Sequence, residues 1–180
     1  MIITFIRHGQ KEIGKRNPYL TKIGVEQAKC LARRLKKEKF DLFYCSGMNR
    51  AKQTAGIVSK SIKMKPKVLG FLNEFETETL LSHRNKWISK EKKKYNKLIA
   101  FLEKLDETYH NKSILIVSHG NTNRVILSYS LNLNLKKLIF FRQEETAINR
   151  IQKPKKAKRW RLVFWDDFNH LPNNLKSSTH

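Results

Sequence analysis

Two short strings set an imidazole directly behind an apolar run. Arg7-His8-Gly9 follows Ile2–Ile6, and Ser118-His119-Gly120 follows Ser113–Val117. A third string, Ser46-Gly47-Met48-Asn49-Arg50-Ala51, carries an arginine just past another short apolar stretch. Imidazole can act as nucleophile, base or proton donor near neutral pH. Guanidinium forks match phosphate oxygens in bidentate geometry. His8, His119, Arg7 and Arg50 converging on one point would therefore suit phosphate chemistry. Zinc is the weaker reading, because no carboxylate or cysteine partner stands at ligand spacing. Gly9 and Gly120 let the chain turn sharply and bring backbone close to a ligand. Gly120 and Asn121 fall at an expected helix start, where free N–H groups suit an anion.

Such a meeting has to be arranged by the elements around these residues. Ile2–Ile6 and Ser113–Val117 are apolar runs without polar alternation, as expected of strands buried on both faces. Asp41–Cys45 and Val68–Leu72 read as further strands. Thr21 can cap a helix running to about Lys39, with Val25, Ala28, Leu31, Ala32 and Leu35 at helical spacing. Ser46 is the expected N-cap of a second helix running to about Ser61, in which Ala51 and Ala55 press on the sheet. Tyr95, Leu98, Ile99, Leu102 and Leu105 mark a third helix from about Trp87, and residues 121–130 a fourth. Residues 75–86 show no period. Thr146–Ile151 and Trp160–Trp165 are strand-like and joined by the basic turn Lys153–Lys158. Strands alternating with helices predict an α/β fold: a three-layer α/β/α sandwich on a mostly parallel central sheet. Residues 1–170 are expected to form one domain, and 171–180 a flexible C-terminal tail. Ligands of open α/β sheets bind beyond the carboxyl ends of strands where the strand order reverses. Neighbouring strands lie ~4.8 Å apart, so residues just past two such ends can touch one small ligand.

Composition narrows the classes. The 180 residues carry 38 Lys+Arg against 15 Asp+Glu, a formal net charge of +23. That field attracts anions and favours anionic substrates. The lysines recur along the whole chain and are not gathered in one tail, so a small phosphorylated substrate is expected, and nucleic acid is not expected as the main partner. A basic, non-catalytic nucleic-acid-binding module is the competing reading outside the enzymes. Cys30 and Cys45 stand too far apart for metal-ligand spacing and cannot build a disulfide framework, which fits a reducing cytoplasm. No apolar run approaches the ~18–20 residues of a membrane span, so no membrane association is expected. The pattern carries no information on oligomeric state.

Taken in order, Arg7-His8-Gly9-Gln10, Leu20-Thr21-x-x-Gly24-x-x-Gln27-Ala28 and Ser46-x-x-x-Arg50-Ala51-x-Gln53-Thr54-Ala55 resemble the successive signatures of the histidine phosphatase (phosphoglycerate mutase-like) superfamily. Leu72-Asn73-Glu74, Ser118-His119-Gly120 and Arg124 continue the resemblance, and Asp167-Phe168-Asn169-His170-Leu171 is similar to the family's C-terminal end. Each string is weakly specific, whereas the ordered set is strong. The resemblance implies a phosphoglycerate mutase-like fold and a covalent route, in which His8 takes the phosphoryl group and water releases it. It also implies that Arg7, Arg50 and His119 bind phosphoryl oxygens, and that Glu74 protonates the leaving oxygen. Neither a metal nor an organic cofactor is implied. Gly120, Asn121 and Gln10 are candidate phosphate contacts, although Gln10 and Asn121 could equally cap turns. The remaining histidines, His83, His110, His170 and His180, read as structural or surface residues.

Three departures from the family pattern bias the reading to phosphatase over mutase. Gly14 stands where many members place a phosphate-binding asparagine, and the loop Lys11–Tyr19 is compact. The chain is short for a mutase that must hold a bisphosphate while it reorients. The segment Phe75–Trp87, where the family often inserts a substrate cover, is small; His83, Arg84 and Trp87 are candidates to line it. The reaction expected is therefore hydrolysis of phosphate monoesters through a phosphohistidine on His8. Mutase transfer and protein-phosphohistidine hydrolysis are the alternatives inside the family.

Overall fold

The structure is a computed structural model that describes residues 1–82, 87–155 and 157–176. His83, Arg84 and His180 lie outside the described residues. Six strands form one sheet: β1 (Ile2–Arg7), β2 (Leu42–Ser46), β3 (Lys67–Leu69), β4 (Ser113–Ser118), β5 (Ile148–Gln152) and β6 (Arg161–Asp167). Their order is β3-β2-β4-β1-β5-β6. The first four run parallel, β5 pairs antiparallel with β1, and β6 pairs antiparallel with β5.

The absence of alternation in β1 and β4 has the expected cause, since helices cover both faces of the sheet. Ile3, Phe5, Ile114 and Ile116 pack with Leu98, Leu102 and Leu105 of α4 (Ser89–Thr108) and with Val125 and Ile126 of α5 (Gly120–Leu131). Ile6, Leu115 and Val117 face the other way, onto Leu31 and Leu35 of α1 (Lys22–Leu35) and Ala51, Ala55 and Val58 of α2 (Asn49–Ile62). Burying each such Ile, Leu or Phe contributes about 1.5–3 kcal/mol, enough to hold the strand ends in register. Three layers result, as the sequence predicts.

Several local expectations are corrected. Thr21 does cap α1, accepting from the Gly24 amide at 3.0 Å, but the helix ends at Leu35 and not near Lys39. Ser46 does not cap α2; the cap position is Met48, whose amide donates to Ser46 Oγ at 3.1 Å. The third strand stops at Leu69, and Gly70–Leu72 forms a turn of 3-10 helix. Two one-turn helices, α3 (Thr77–Leu81) and α6 (Leu135–Leu138), were not expected. Elements this short display no period. The C-terminal segment is not a tail over residues 171–176: Leu171 is buried, and the Leu175 carbonyl accepts from Gln27 Nε2 at 2.8 Å.

This framework sets up the site. Arg7 is paired with Ser118 in the β1–β4 register, so His8 and His119 leave adjacent strand ends side by side. Cys45 is paired with Val117, so Ser46 ends β2 on the far side of β4. The loop that carries His8 is clamped against the first turn of α1. A Cβ on Gly9 would stand 2.5 Å from the Gly24 carbonyl oxygen, and one on Gly24 would stand 2.1 Å from that of Gln10. These two glycines serve backbone packing, and Gly9 is required here without any ligand.

Candidate active site

The two imidazole rings meet edge to face, with centroids 5.0 Å apart. Both histidines are almost fully buried, and so is Arg50, in the first turn of α2. The hydrogen bonds define the His8 tautomer. Its Nδ1 lies 2.7 Å from the Gly9 carbonyl oxygen, which can only accept, so Nδ1 carries the proton. Nε2 then offers a lone pair, and it accepts from Arg50 Nε at 2.8 Å. Burial above all, then the neighbouring His119, and to a smaller extent Arg50 and Arg7, hold the His8 pKa well below its ordinary value; Glu74 opposes them. Desolvation, with the arginines in a lesser part, keeps this ring neutral.

His119 is oriented by a chain that begins in backbone. The Gly47 amide and Ser46 Oγ both donate to Asn73 Oδ1, each at 2.9 Å. With its only proton used, Ser46 Oγ accepts from His119 Nε2 at 2.7 Å. His119 Nδ1 therefore faces Glu74 Oε2 at 3.2 Å, without the alignment of a hydrogen bond. Burial lowers the His119 pKa while Glu74 raises it.

Glu74 closes the ring of groups. Its Oε1 accepts from the Asn121 amide at 2.9 Å, so the anion held at the N-terminus of α5 is this carboxylate. Its Oε2 lies 3.3 Å from Arg50 Nη2. Desolvation works to raise the Glu74 pKa, but with both imidazoles neutral the Asn121 amide on Oε1 and the Arg50 guanidinium beside Oε2 outweigh it and hold the group ionised, below the carboxylate range. The segment bearing it is pinned from three sides: Ser118 Oγ donates to the Leu72 carbonyl, Thr122 Oγ1 to that of Asn73, and Lys94 Nζ to that of Glu74.

A cavity of about 420 Å³ opens over these groups, lined by Arg7, His8, Glu74, Gly120, Asn121 and Arg124, among others. Arg7 is held at its rim by the Gln143 carbonyl and, at 2.8 Å, by Glu145 Oε1. Of the four basic groups expected to converge, Arg7 and His8 line this cavity, whereas Arg50 and His119 contact His8 from behind and are not among its lining residues. Gln10 is also absent from the cavity wall, and its side chain accepts from Thr21 Oγ1 at 2.7 Å, which ties the loop to α1. The Asn121 side chain is engaged as well, donating to the Phe75 carbonyl at 2.8 Å and to Thr77 Oγ1 at 3.1 Å.

Sequence reasoning missed Asn73 and Ser46 as orienting groups, and it missed Arg124, Gln143 and Glu145 in the cavity wall and behind Arg7. Asn73 and Arg124 stand within the family strings, so a signal existed. Gln143 and Glu145 sit in a stretch without any pattern. A cation could in principle use His8, Glu74 and His119, whose ligand atoms lie within 4.8 Å of one another. Arg50, bonded to both His8 Nε2 and Glu74, already supplies positive charge there and disfavours a metal ion. The arrangement instead suits a tetrahedral oxyanion beside one imidazole lone pair.

Such a sheet, with paired histidines and arginines at its parallel strand ends, defines a phosphate-handling α/β protein. The profile of the histidine phosphatase superfamily (branch 1) matches residues 3–167, and the chain belongs to that family. Adenosylcobalamin/alpha-ribazole phosphatase of Escherichia coli is 23% identical over 175 residues, covering 81% of this chain and 86% of that protein. Putative phosphoserine phosphatase 2 of Hydrogenobacter thermophilus is 26% identical over 176 residues, covering 81% of this chain and 86% of its own length. Among solved structures, phosphoserine phosphatase of Entamoeba histolytica in complex with 3-phosphoglyceric acid superposes with a TM-score of 0.78 at 21% identity, covering 95% of this chain and 99% of that one. No described helix is long and apolar enough to cross a membrane.

Proposed function

We propose that this protein is a phosphatase that hydrolyses phosphate monoesters through a phosphohistidine on His8. The observation that carries the reading is the His8 tautomer: a neutral, buried imidazole whose Nε2 lone pair meets the Arg50 guanidinium at the floor of the site. Arg50 passes its N–H to a phosphoryl oxygen, and His8 Nε2 attacks phosphorus. The N–P bond forms as the ester P–O bond breaks, and the leaving oxygen takes a proton from Glu74. Glu74 is ionised in the resting site; a dianion bound beside it raises its proton affinity and lets it enter the reaction as an acid. Its carboxylate next accepts a proton from water, which attacks phosphorus, breaks the N–P bond and releases inorganic phosphate. Arg7 and Arg50 hold the equatorial oxygens, where the charge spreads in phosphoryl transfer. His119, whose Nε2–H is committed to Ser46 Oγ, joins them through Nδ1 when the bound dianion draws a proton onto that nitrogen. Gly120 and Arg124 complete the wall.

Phosphatase is favoured over mutase transfer by the names of the relatives matched along most of the chain. A mutase from Methylobacterium aligns over only 34% of this chain. The two buried thiols, Cys30 and Cys45, fit a reducing compartment such as the cytoplasm. The test is turnover of p-nitrophenyl phosphate, with acid quenching avoided so that a labelled phosphohistidine survives. Wild type accumulates label and His8→Ala neither turns over nor labels. Turnover by His8→Ala at the wild-type rate overturns the mechanism.

A further inference from the structure

Beside the reaction cavity lies a second, larger groove of about 760 Å³, bounded by the loop after β1 and by α4; the two share Lys11, Glu74, Phe75 and Glu76. Eight Lys and Arg side chains line it against three carboxylates. Of these carboxylates, Glu74 is engaged by Arg50, and Glu91 is engaged by Lys94 at 2.6 Å. The lysines on α4 are not a random scatter. Lys90, Lys93, Lys94 and Lys97 recur at the three- and four-residue spacing that puts side chains on one helix face, and all four line the groove. At 1.5 Å per residue the stripe is about 10 Å long. Lys94 joins it to the reaction centre, since its Nζ donates to the Glu74 carbonyl at 2.7 Å. Lys90, Lys93 and Lys97 are exposed and have no ion-pair partner among the described residues.

Resting on the phosphatase reading, we propose that this groove is the leaving-group subsite, and that it selects small phosphomonoesters whose alcohol part carries a second phosphate group. An ammonium group is a compact point charge that binds phosphate from any direction. Several on one face suit a dianion with three oxygens better than a single carboxylate. The volume is that of a small-molecule site. Phe75 on its wall is fully buried, and Phe71 packs on Phe101, so the wall offers little aromatic face for a stacked base. The chain's general positive charge brings anions to the surface, whereas the α4 stripe fixes where the second one sits.

The test compares hexanediol bisphosphate with hexanediol monophosphate in wild type and in Lys93→Gln/Lys97→Gln, reading the ratio of kcat/KM within each protein so that the folded fraction cancels. Wild type prefers the bisphosphate about tenfold or more at low salt, beyond the statistical gain of two reactive ends, and the preference shrinks as salt screens it. The double variant loses most of that preference. A ratio near that statistical gain in wild type, or one unmoved by the substitutions, overturns the subsite while hydrolysis itself continues. Stronger competition by a 5′-phosphorylated oligonucleotide than by the bisphosphate also overturns it, by giving the groove to nucleic acid. No turnover of any ester, p-nitrophenyl phosphate included, defeats the phosphatase reading beneath it.

Discussion

Replacing Glu74 by glutamine separates the charge of this carboxylate from its proton. Glutamine keeps an oxygen for the Asn121 amide, but it loses the ion pair with Arg50 and the anion facing His119. Charges 3.3 Å apart attract by about 5 kcal/mol at an effective dielectric near 20, before desolvation and screening are counted. Glu74 is 29% exposed, so solvent reduces that figure. Whatever remains ties Arg50 to Glu74 in the resting site and competes with a bound phosphate. Deleting the charge therefore frees Arg50, and KM stays level or falls. The chemical step behaves differently. A positioned general acid contributes ~10²–10⁴-fold, about 3–5 kcal/mol of barrier, when the leaving oxygen needs a proton. For an alkyl phosphate, kcat of Glu74→Gln should fall by that range. For p-nitrophenyl phosphate, whose phenolate departs without a proton, the loss should be less than ~10-fold. Steady-state kinetics on the two esters reads the difference. Equal losses on both, or a raised KM with kcat intact, would refute the assignment of Glu74 as the acid.

The acid limb of kcat/KM should lie below the ordinary histidine pKa of ~6.5, because burial keeps His8 neutral to lower pH; a limb at or above that value contradicts a His8 kept neutral by burial. Stability should follow the same sign. Burial pushes His170 down to about 4, so the unfolded chain takes up the proton first, and stability is complete above ~6.5 and lost as pH falls toward 4. Melting curves across that window should flatten in His170→Asn, and an unchanged slope rejects the attribution. Gly24→Ala forces a Cβ to 2.1 Å from the Gln10 carbonyl oxygen; it should cost about 1–3 kcal/mol, lower Tm by ~2–4 °C per kcal/mol and reduce turnover by moving the His8 loop. Gly56→Ala, in open space on α2, should instead stabilise by ~0.4–1 kcal/mol; matching melting shifts in the two variants would discount the clamp.

What the chain determines locally can be seen at β1 and β4. Their apolar runs specify strands covered on both faces, and the residues that follow them had to emerge at the edge where such sheets bind ligands. His8, His119, Arg7 and Arg50 were legible for that reason, as was the Thr21 cap, since each depends on near neighbours in the chain. The one-turn helices α3 and α6 were not legible, because a single turn has no period to detect. The site's electrostatics belong to the tertiary structure alone. Glu74 is an ordinary carboxylate in the sequence and becomes an anion held on the α5 N-terminus only when residues 74 and 121 meet. Gln10 looked like a phosphate contact until the clamp between Gly9 and Gly24 turned it toward Thr21. Proton positions on His8 and His119 depend on which carbonyl or hydroxyl lies opposite each ring nitrogen. For His8 the partners are the carbonyl of the next residue, Gly9, and Arg50 of α2; for His119 it is Ser46 of β2, itself held by Asn73. Arg50, Ser46 and Asn73 reach these rings only through packing of the sheet.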